Sequence, residues 1–453
     1  MYRRLAVFAL LISSPAVAQD LTARLDSVMK ASEKAGFSGV VRVERKGTVL
    51  LNKGYGFANR AQKIPFTPET VVQIGSNTKD FTAIAILQLQ QAGRLALTDS
   101  IVKYFSNAPA DKRAITIRQL MNHRAGFPLG IGPDFAPIGR KAFVDSAMRT
   151  ELNFKPGTKE GYSNTGFSLL AAIIEQVTGK SYDEYVRDAI LTPAGLKRTG
   201  FHLPGFKATE LAHGYTASGD DHGTMLAKPH AADGPWWNLR GNGGMLSTVG
   251  DMHTFYKTLF ETNTLMTAAT RALRFDPNEP IGLAGSDGVN FFLYDRFPGM
   301  GMEIIIASTN GAVKSPAVRR ALGAVLGMPN PDDGAEDAVA SRPGGKPPAA
   351  AIATVLTELI ATINTGDATK LRAFIAAHFA SDAGSPTLAE RVERFGKMHE
   401  SLGALAIEKV ETFDKGPIEM RVTTGDGPRA TFLVDMESAA PYRIRGIQVR
   451  LGG

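Results

Sequence analysis

The chain of 453 residues contains no cysteine. That absence excludes disulfides, a thiol nucleophile, cysteine-ligated metal and a lipid-anchored cysteine behind an export signal. Once the N-terminus is set aside, no apolar run reaches the ~20 residues needed to span a bilayer. The formal charge is +7, yet lysine and arginine are scattered and form no dense run, so a nucleic-acid partner is not expected. Histidine is scarce, with eight residues. His213, His222 and His230 are too loosely spaced, on too loop-like a segment, to read as a zinc site. Neither a metal nor a cofactor is expected.

What is present begins with an export pattern. Arg3 and Arg4 give a positive start, Leu5 to Ile12 a short apolar run, and Ala16-Val17-Ala18 a cleavage site. The mature chain is expected to begin at Gln19, in the periplasm or outside the cell, and two of the positive charges leave with the signal. The length suggests more than one domain.

The first expected domain covers residues 19–328. Residues 20–36 read as a helix. Two strand-like runs, Phe37 to Val43 and Val49 to Phe57, flank Lys46-Gly47 as a hairpin. Helical patterns follow at Ser76 to Gln91, ended by Gly93, at Thr116 to Asn122, and at Thr165 to Val177, stopped by Gly179. Ser181 with Glu184 forms a capping box that opens another. Strand-like runs return at Phe291 to Tyr294 and Glu303 to Thr309. This order predicts an α+β fold, an antiparallel sheet built from both ends of the domain with helices inserted between. Residues 329–349 carry Pro329, Pro331, Pro343, Pro347 and Pro348 and read as a linker. Residues 350–453 read as three helices followed by a meander of four strands, a small second α+β domain.

Chemistry enters at Ser76-Asn77-Thr78-Lys79. An S-x-x-K at the start of a helix puts hydroxyl and amine on one face. Serine needs a base beside it to become a nucleophile. A lysine can serve when burial lowers its pKa, and the helix start offers backbone N–H groups to an oxyanion. Tyr162-Ser163-Asn164, on a loop after Pro156-Gly157, adds a hydroxyl able to relay a proton and an amide able to hold Lys79 or a substrate. Each short motif occurs often by chance and gains weight only from context.

That context is a family resemblance. Ile74 to Lys79 with Phe81-Thr82-Ala83, Ile115 to His123 with Gly126-Phe127-Pro128, Pro156-Gly157 ahead of Tyr162-Ser163-Asn164, and Gly243 to Thr248 with Asp251 occur in that order. Together they resemble the serine β-lactamase and penicillin-binding-protein superfamily, most closely class C β-lactamases and related serine esterases, over residues 25–325. The resemblance implies that Ser76 attacks a carbonyl, that Lys79 and Tyr162 share the acid and base work, and that Asn164 positions. His123 reads as scaffold. Trp236-Trp237 reads equally as a pocket wall or as packed aromatics.

The third family motif departs. The best match to the strand that carries Lys-Thr-Gly or His-x-Gly is Leu283-Ala284-Gly285 followed by Ser286. Gly285 fits, and the Ser286 N–H would join that of Ser76 around an oxyanion. Leu283 replaces the cation that pairs with the carboxylate of penicillins and cell-wall peptides. The expectation is therefore a serine hydrolase acting on an ester or amide, first a carboxylesterase. A β-lactamase or D-amino-acid peptidase is the alternative, and a receptor that keeps the fold a further one. In the last domain, Ile363 to Asp367 and Leu371 to Phe374 bear some resemblance to the start of SnoaL-like domains. A structural or homodimerising role is expected there.

Overall fold

A strand that reads Ile304-Ile305-Ile306-Ala307 has no polar side to turn to water, so it needs cover on both faces. The computed structural model of the chain supplies it. The structure describes residues 15–202, 205–216, 218–287, 289–309, 315–328, 349–379, 387–411, 418–424, 430–436 and 443–451. Most of the expected signal peptide and nearly all of the expected linker lie outside these residues. By density of contacts the chain divides into Met1–Met328 and Pro329–Gly453.

The first unit is organised on five antiparallel strands: β1 (Gly39–Arg45), β2 (Thr48–Tyr55), β3 (Ile281–Ser286), β4 (Phe291–Phe297) and β5 (Met302–Ser308), in the order β2-β1-β5-β4-β3. Lys46 and Gly47, with φ of 50° and 76°, close the first hairpin, the left-handed pair whose twist suits a two-residue turn. Alternation along the strands then sorts the side chains. Val41, Val43, Ile304 and Ile306 pack with Leu25 and Met29 of the helix Pro15–Lys34 and with Val318 and Leu322 of the helix Ser315–Leu326. Val40, Phe292, Tyr294, Ile305 and Ala307 face the other way, into the core of the inserted helices. The expected arrangement, an antiparallel sheet from both ends of the domain flanked by helices, is the one observed.

The helix Thr78–Gln91 runs through the middle of that second core, with every residue from Thr78 to Leu87 buried. A helix buried all round is held by tertiary contact rather than by an amphipathic stripe. Phe81 stacks on Phe255 at 4.1 Å. The expected helix start at Ser76 is in detail one 3-10 turn, Gly75–Asn77, leading into the α-helix. Local signals elsewhere held their positions. Thr116 with Gln119 and Ser181 with Glu184 both form reciprocal capping boxes, and Gly179 ends the helix Asn164–Thr178 at φ 74°. The helix Val249–Glu261 was not anticipated. Its N-cap, Thr248, accepts from the Asp251 N–H, so those two motif residues make a helix start.

The second unit has its own core, with Leu359, Phe374, Phe432 and Val434 at its centre. Helices Ala349–Asn364, Ala368–His378 and Leu388–Leu402 precede four antiparallel strands paired in sequence order. That is the helices-then-meander order read from the sequence. Two separate cores should unfold separately. Scanning calorimetry of the full chain is expected to show two transitions. A chain ended at Met328 should keep one of them within a few degrees, and a single shared transition lost on truncation would contradict this.

Candidate active site

The site begins where β3 meets the turn before the central helix. Gly75 has φ 52°, and a Cβ built on it would come within 2.8 Å of the Ser286 backbone nitrogen. A Cβ on Gly285 would lie 2.2 Å from the Ile74 carbonyl oxygen and 2.6 Å from the Ser76 nitrogen. Glycine at both positions lets two backbones touch. The Ser76 N–H and the Gly285-Ser286 end of β3 are thereby brought together. On the other side of the turn, Val72–Gln73 pairs with Leu246–Ser247, and the Ile74 N–H donates to the Met245 carbonyl at 3.0 Å. The Ser76 turn is clamped between two strands.

Ser76 Oγ lies between two polar side chains. Lys79 Nζ is 3.0 Å away, one helical turn on, and the Tyr162 hydroxyl donates to it at 2.7 Å. Lys79 is buried, 4 % exposed. Burial pulls its pKa down to about 7, against the opposing pull of Asp80 and Asp134. A neutral amine is thus available near neutral pH to accept a proton. Tyr162 is 49 % exposed as a residue, but desolvation raises the pKa of its hydroxyl above the ordinary value, so it stays protonated and able to donate.

Lys79 is held by the main chain. Three successive carbonyls dock on the neighbouring helices: Arg240 O accepts from Ser168 Oγ at 2.8 Å, Gly241 O from Thr82 Oγ1 at 2.6 Å, and Asn242 O from Lys79 Nζ at 2.7 Å. The Asn242 side chain latches this segment by donating to Ser168 Oγ and to the Asn238 carbonyl, at 2.8 and 2.9 Å. The Lys79 nitrogen also lies over the Tyr162 ring, 4.8 Å from its centroid. Beneath it, Asp80 is fully buried with its pKa raised by desolvation, and accepts from the Tyr256 hydroxyl at 2.9 Å. Asn242, Asp80 and Tyr256 carried no signal in the sequence, because a carbonyl is present on every residue and burial is not written in a motif.

The other anticipated residues fall as follows. Asn164 was expected to hold Lys79 or a substrate amide. The polar contacts of Lys79 go instead to Ser76 and Asn242, and Asn164 Oδ1 is buried without a hydrogen-bond partner among the described residues. Leu283 is half-buried on β3, opposite Tyr294 and packed on the main core, and Ala284 is exposed. Trp237 is packed, 6.3 Å from Phe143 with Arg240 over its ring at 5.0 Å. His213 pairs with Asn59 and Asp221, while His230 pairs with the Lys228 carbonyl. Among the described residues no helix is long and apolar enough to cross a membrane.

The chain matches the β-lactamase family model over residues 21–303. Protein flp of Staphylococcus aureus (strain MW2) is 33 % identical over 220 residues, 46 % of this chain and 44 % of that protein. The chain thus spans less than half the length of that relative. Among solved structures, the octameric penicillin-binding protein homologue from Pyrococcus abyssi superposes with a TM-score of 0.60 at 20 % identity, covering 94 % of this chain and 99 % of its own. EstCE1, described as a hydrolase with promiscuous acyltransferase activity, gives 0.57 at 19 %, covering 69 % of this chain and 100 % of its own. At such identities these two structures speak to the fold. With the family model matched over more than half its length, the chain belongs to the β-lactamase family of serine hydrolases.

Proposed function

We propose that this protein is an exported carboxylesterase that works through an acyl-enzyme on Ser76. The observation that carries the reading is Ser76 Oγ held within 3.0 Å of Lys79 Nζ and 2.7 Å of the Tyr162 hydroxyl. Neutral Lys79 takes the proton as Ser76 attacks the ester carbonyl. The oxyanion that forms is met by the N–H groups of Ser76 and Ser286. Tyr162, protonated at neutral pH, gives its proton to the departing alkoxide and is restored from Lys79. Water then repeats the attack on the acyl group with the same two groups in reversed roles. The preference for neutral esters rests on Leu283 and Ala284, which offer no charge to a substrate carboxylate. Asn164, with a buried free carbonyl oxygen, is the candidate to receive a substrate donor.

The first test is labelling by a fluorophosphonate probe. Wild-type protein should label and Ser76→Ala should not; labelling that survives the substitution removes Ser76 as nucleophile. The second is a pH profile. Because Lys79 acts in its neutral form, kcat/KM should rise with pH along a limb near its pKa of about 7. Lys79→Arg, which stays charged, should lose about 10² or more in rate. An unmoved rate or a profile flat between pH 5 and 9 would take Lys79 out of the mechanism.

The third test addresses the substrate. Leu283→Lys should raise kcat/KM for nitrocefin relative to a neutral p-nitrophenyl ester. The expected gain is roughly one to two orders of magnitude, since a hydrogen bond to a charged group contributes about 1.5–3 kcal/mol. Efficient nitrocefin hydrolysis by the wild type would overturn the esterase reading, and an unchanged ratio in a folded lysine variant would move Leu283 out of the site.

A further inference from the structure

His123 is a polar residue beside the site that the proposed chemistry leaves unused. Its backbone is unusual for a residue with a side chain, with φ 56° in the left-handed region. That turn lets one residue grip the neighbouring loop twice. The His123 carbonyl accepts the Gly161 N–H at 2.8 Å, and its ring Nδ1 accepts the Ser163 N–H at 3.1 Å. Tyr162 lies between those two anchors. The imidazole also packs on the Tyr162 ring, centroids 4.5 Å apart and planes at 31°, and is backed by Phe167 at 5.1 Å.

An Nδ1 that accepts must be unprotonated, with the ring proton on Nε2. Burial, assisted by the charges of Lys79 and Arg274, holds the His123 pKa down at about 4. The acceptor is therefore present throughout the neutral range. A general-base histidine has its Nδ1 on an orienting carboxylate; this one has it on a backbone N–H. Tyr162 needs such a hold, because about half of the residue is exposed and solvent does not fix an orientation.

We propose that His123 is a positioning residue for Tyr162, clamping the backbone on both sides of it and bracing its ring so that the hydroxyl stays on Ser76 Oγ. The inference rests on Tyr162 acting in proton transfer. A misplacement of about 1 Å can cost about 10²-fold in rate, so the effect should appear in kcat more than in KM.

The experiment is a set of cycles on the full chain. His123→Ala, His123→Phe and His123→Asn are each made in the wild type and in Tyr162→Phe, and steady-state ester hydrolysis and thermal melting are measured. Asparagine offers an acceptor near the position of Nδ1 and tolerates left-handed backbone, so it should recover a large part of what alanine and phenylalanine lose. In the wild type, His123→Ala should lower kcat by about ten- to a hundredfold. In Tyr162→Phe the same change should cost less than about threefold, because the group being positioned is already gone. Should the alanine variant fail to fold, the asparagine and phenylalanine pairs give the same comparison. Equal losses in both backgrounds, or asparagine no better than phenylalanine, would overturn the inference and leave Tyr162 in its role. Near-wild-type turnover of Tyr162→Phe itself would sink the role of Tyr162 and the inference together.

Discussion

An amine removed from water is the constraint around which this domain is arranged. Lys79 sits in the first turn of a helix buried on all sides, where a full charge is costly. The cost is met partly by lowering the pKa to about 7 from 10.5 and partly by a carbonyl, an aromatic face and a hydroxyl around the nitrogen. Because the folded pKa lies below the unfolded one, the unfolded chain binds more protons between those two values. Lys79 therefore destabilises the fold most below about pH 7, and this penalty fades as the pH rises toward 10.5. The domain keeps a residue that weakens it, as sites that need a reactive group commonly do.

Much of the surrounding scaffold was legible because its signals are local. The hairpin at Lys46-Gly47, the helix from Thr116, the box at Ser181 and the stop at Gly179 each depend on residues within a few positions of one another. That Ser76 and Lys79 lie on one face was legible for the same reason. Tyr162 is 86 residues from Ser76, and only the family resemblance linked the two. The Asn242 carbonyl could not have been read at all, since the acceptor is common to every residue. The helix Val249–Glu261 escaped because Val249-Gly250 is a poor helix start by propensity, and the packing of Phe255 and Tyr256 overrides it.

Two glycines show how close the main chains must come. Gly75 and Gly285 have no side chain to spare at the contact between β3 and the Ser76 turn. The sheet and the helical core are thus joined at the Ser76 turn by backbone touching backbone. Donors fixed in that way need no rearrangement when negative charge appears beside them. The same contact ties Ser76 to the strand that carries Leu283, so the residue proposed to govern charge preference lies two positions from one in contact with the backbone of Ser76.

The pairing of the sheet has a further consequence for how the protein is made. Gly39 of β1 is opposite Ser308 of β5, and the first hairpin, complete at Tyr55, is made about 250 residues before that neighbouring strand is finished. At roughly 5–20 residues per second, that interval is on the order of 15–50 seconds. For that time Val40, Val41 and Val43 lack their partner strand, and Val41 and Val43 also lack the helix Ser315–Leu326 that covers them. A nascent chain in this condition presents an unpaired apolar edge, the kind of surface that favours association until its partner strand is made.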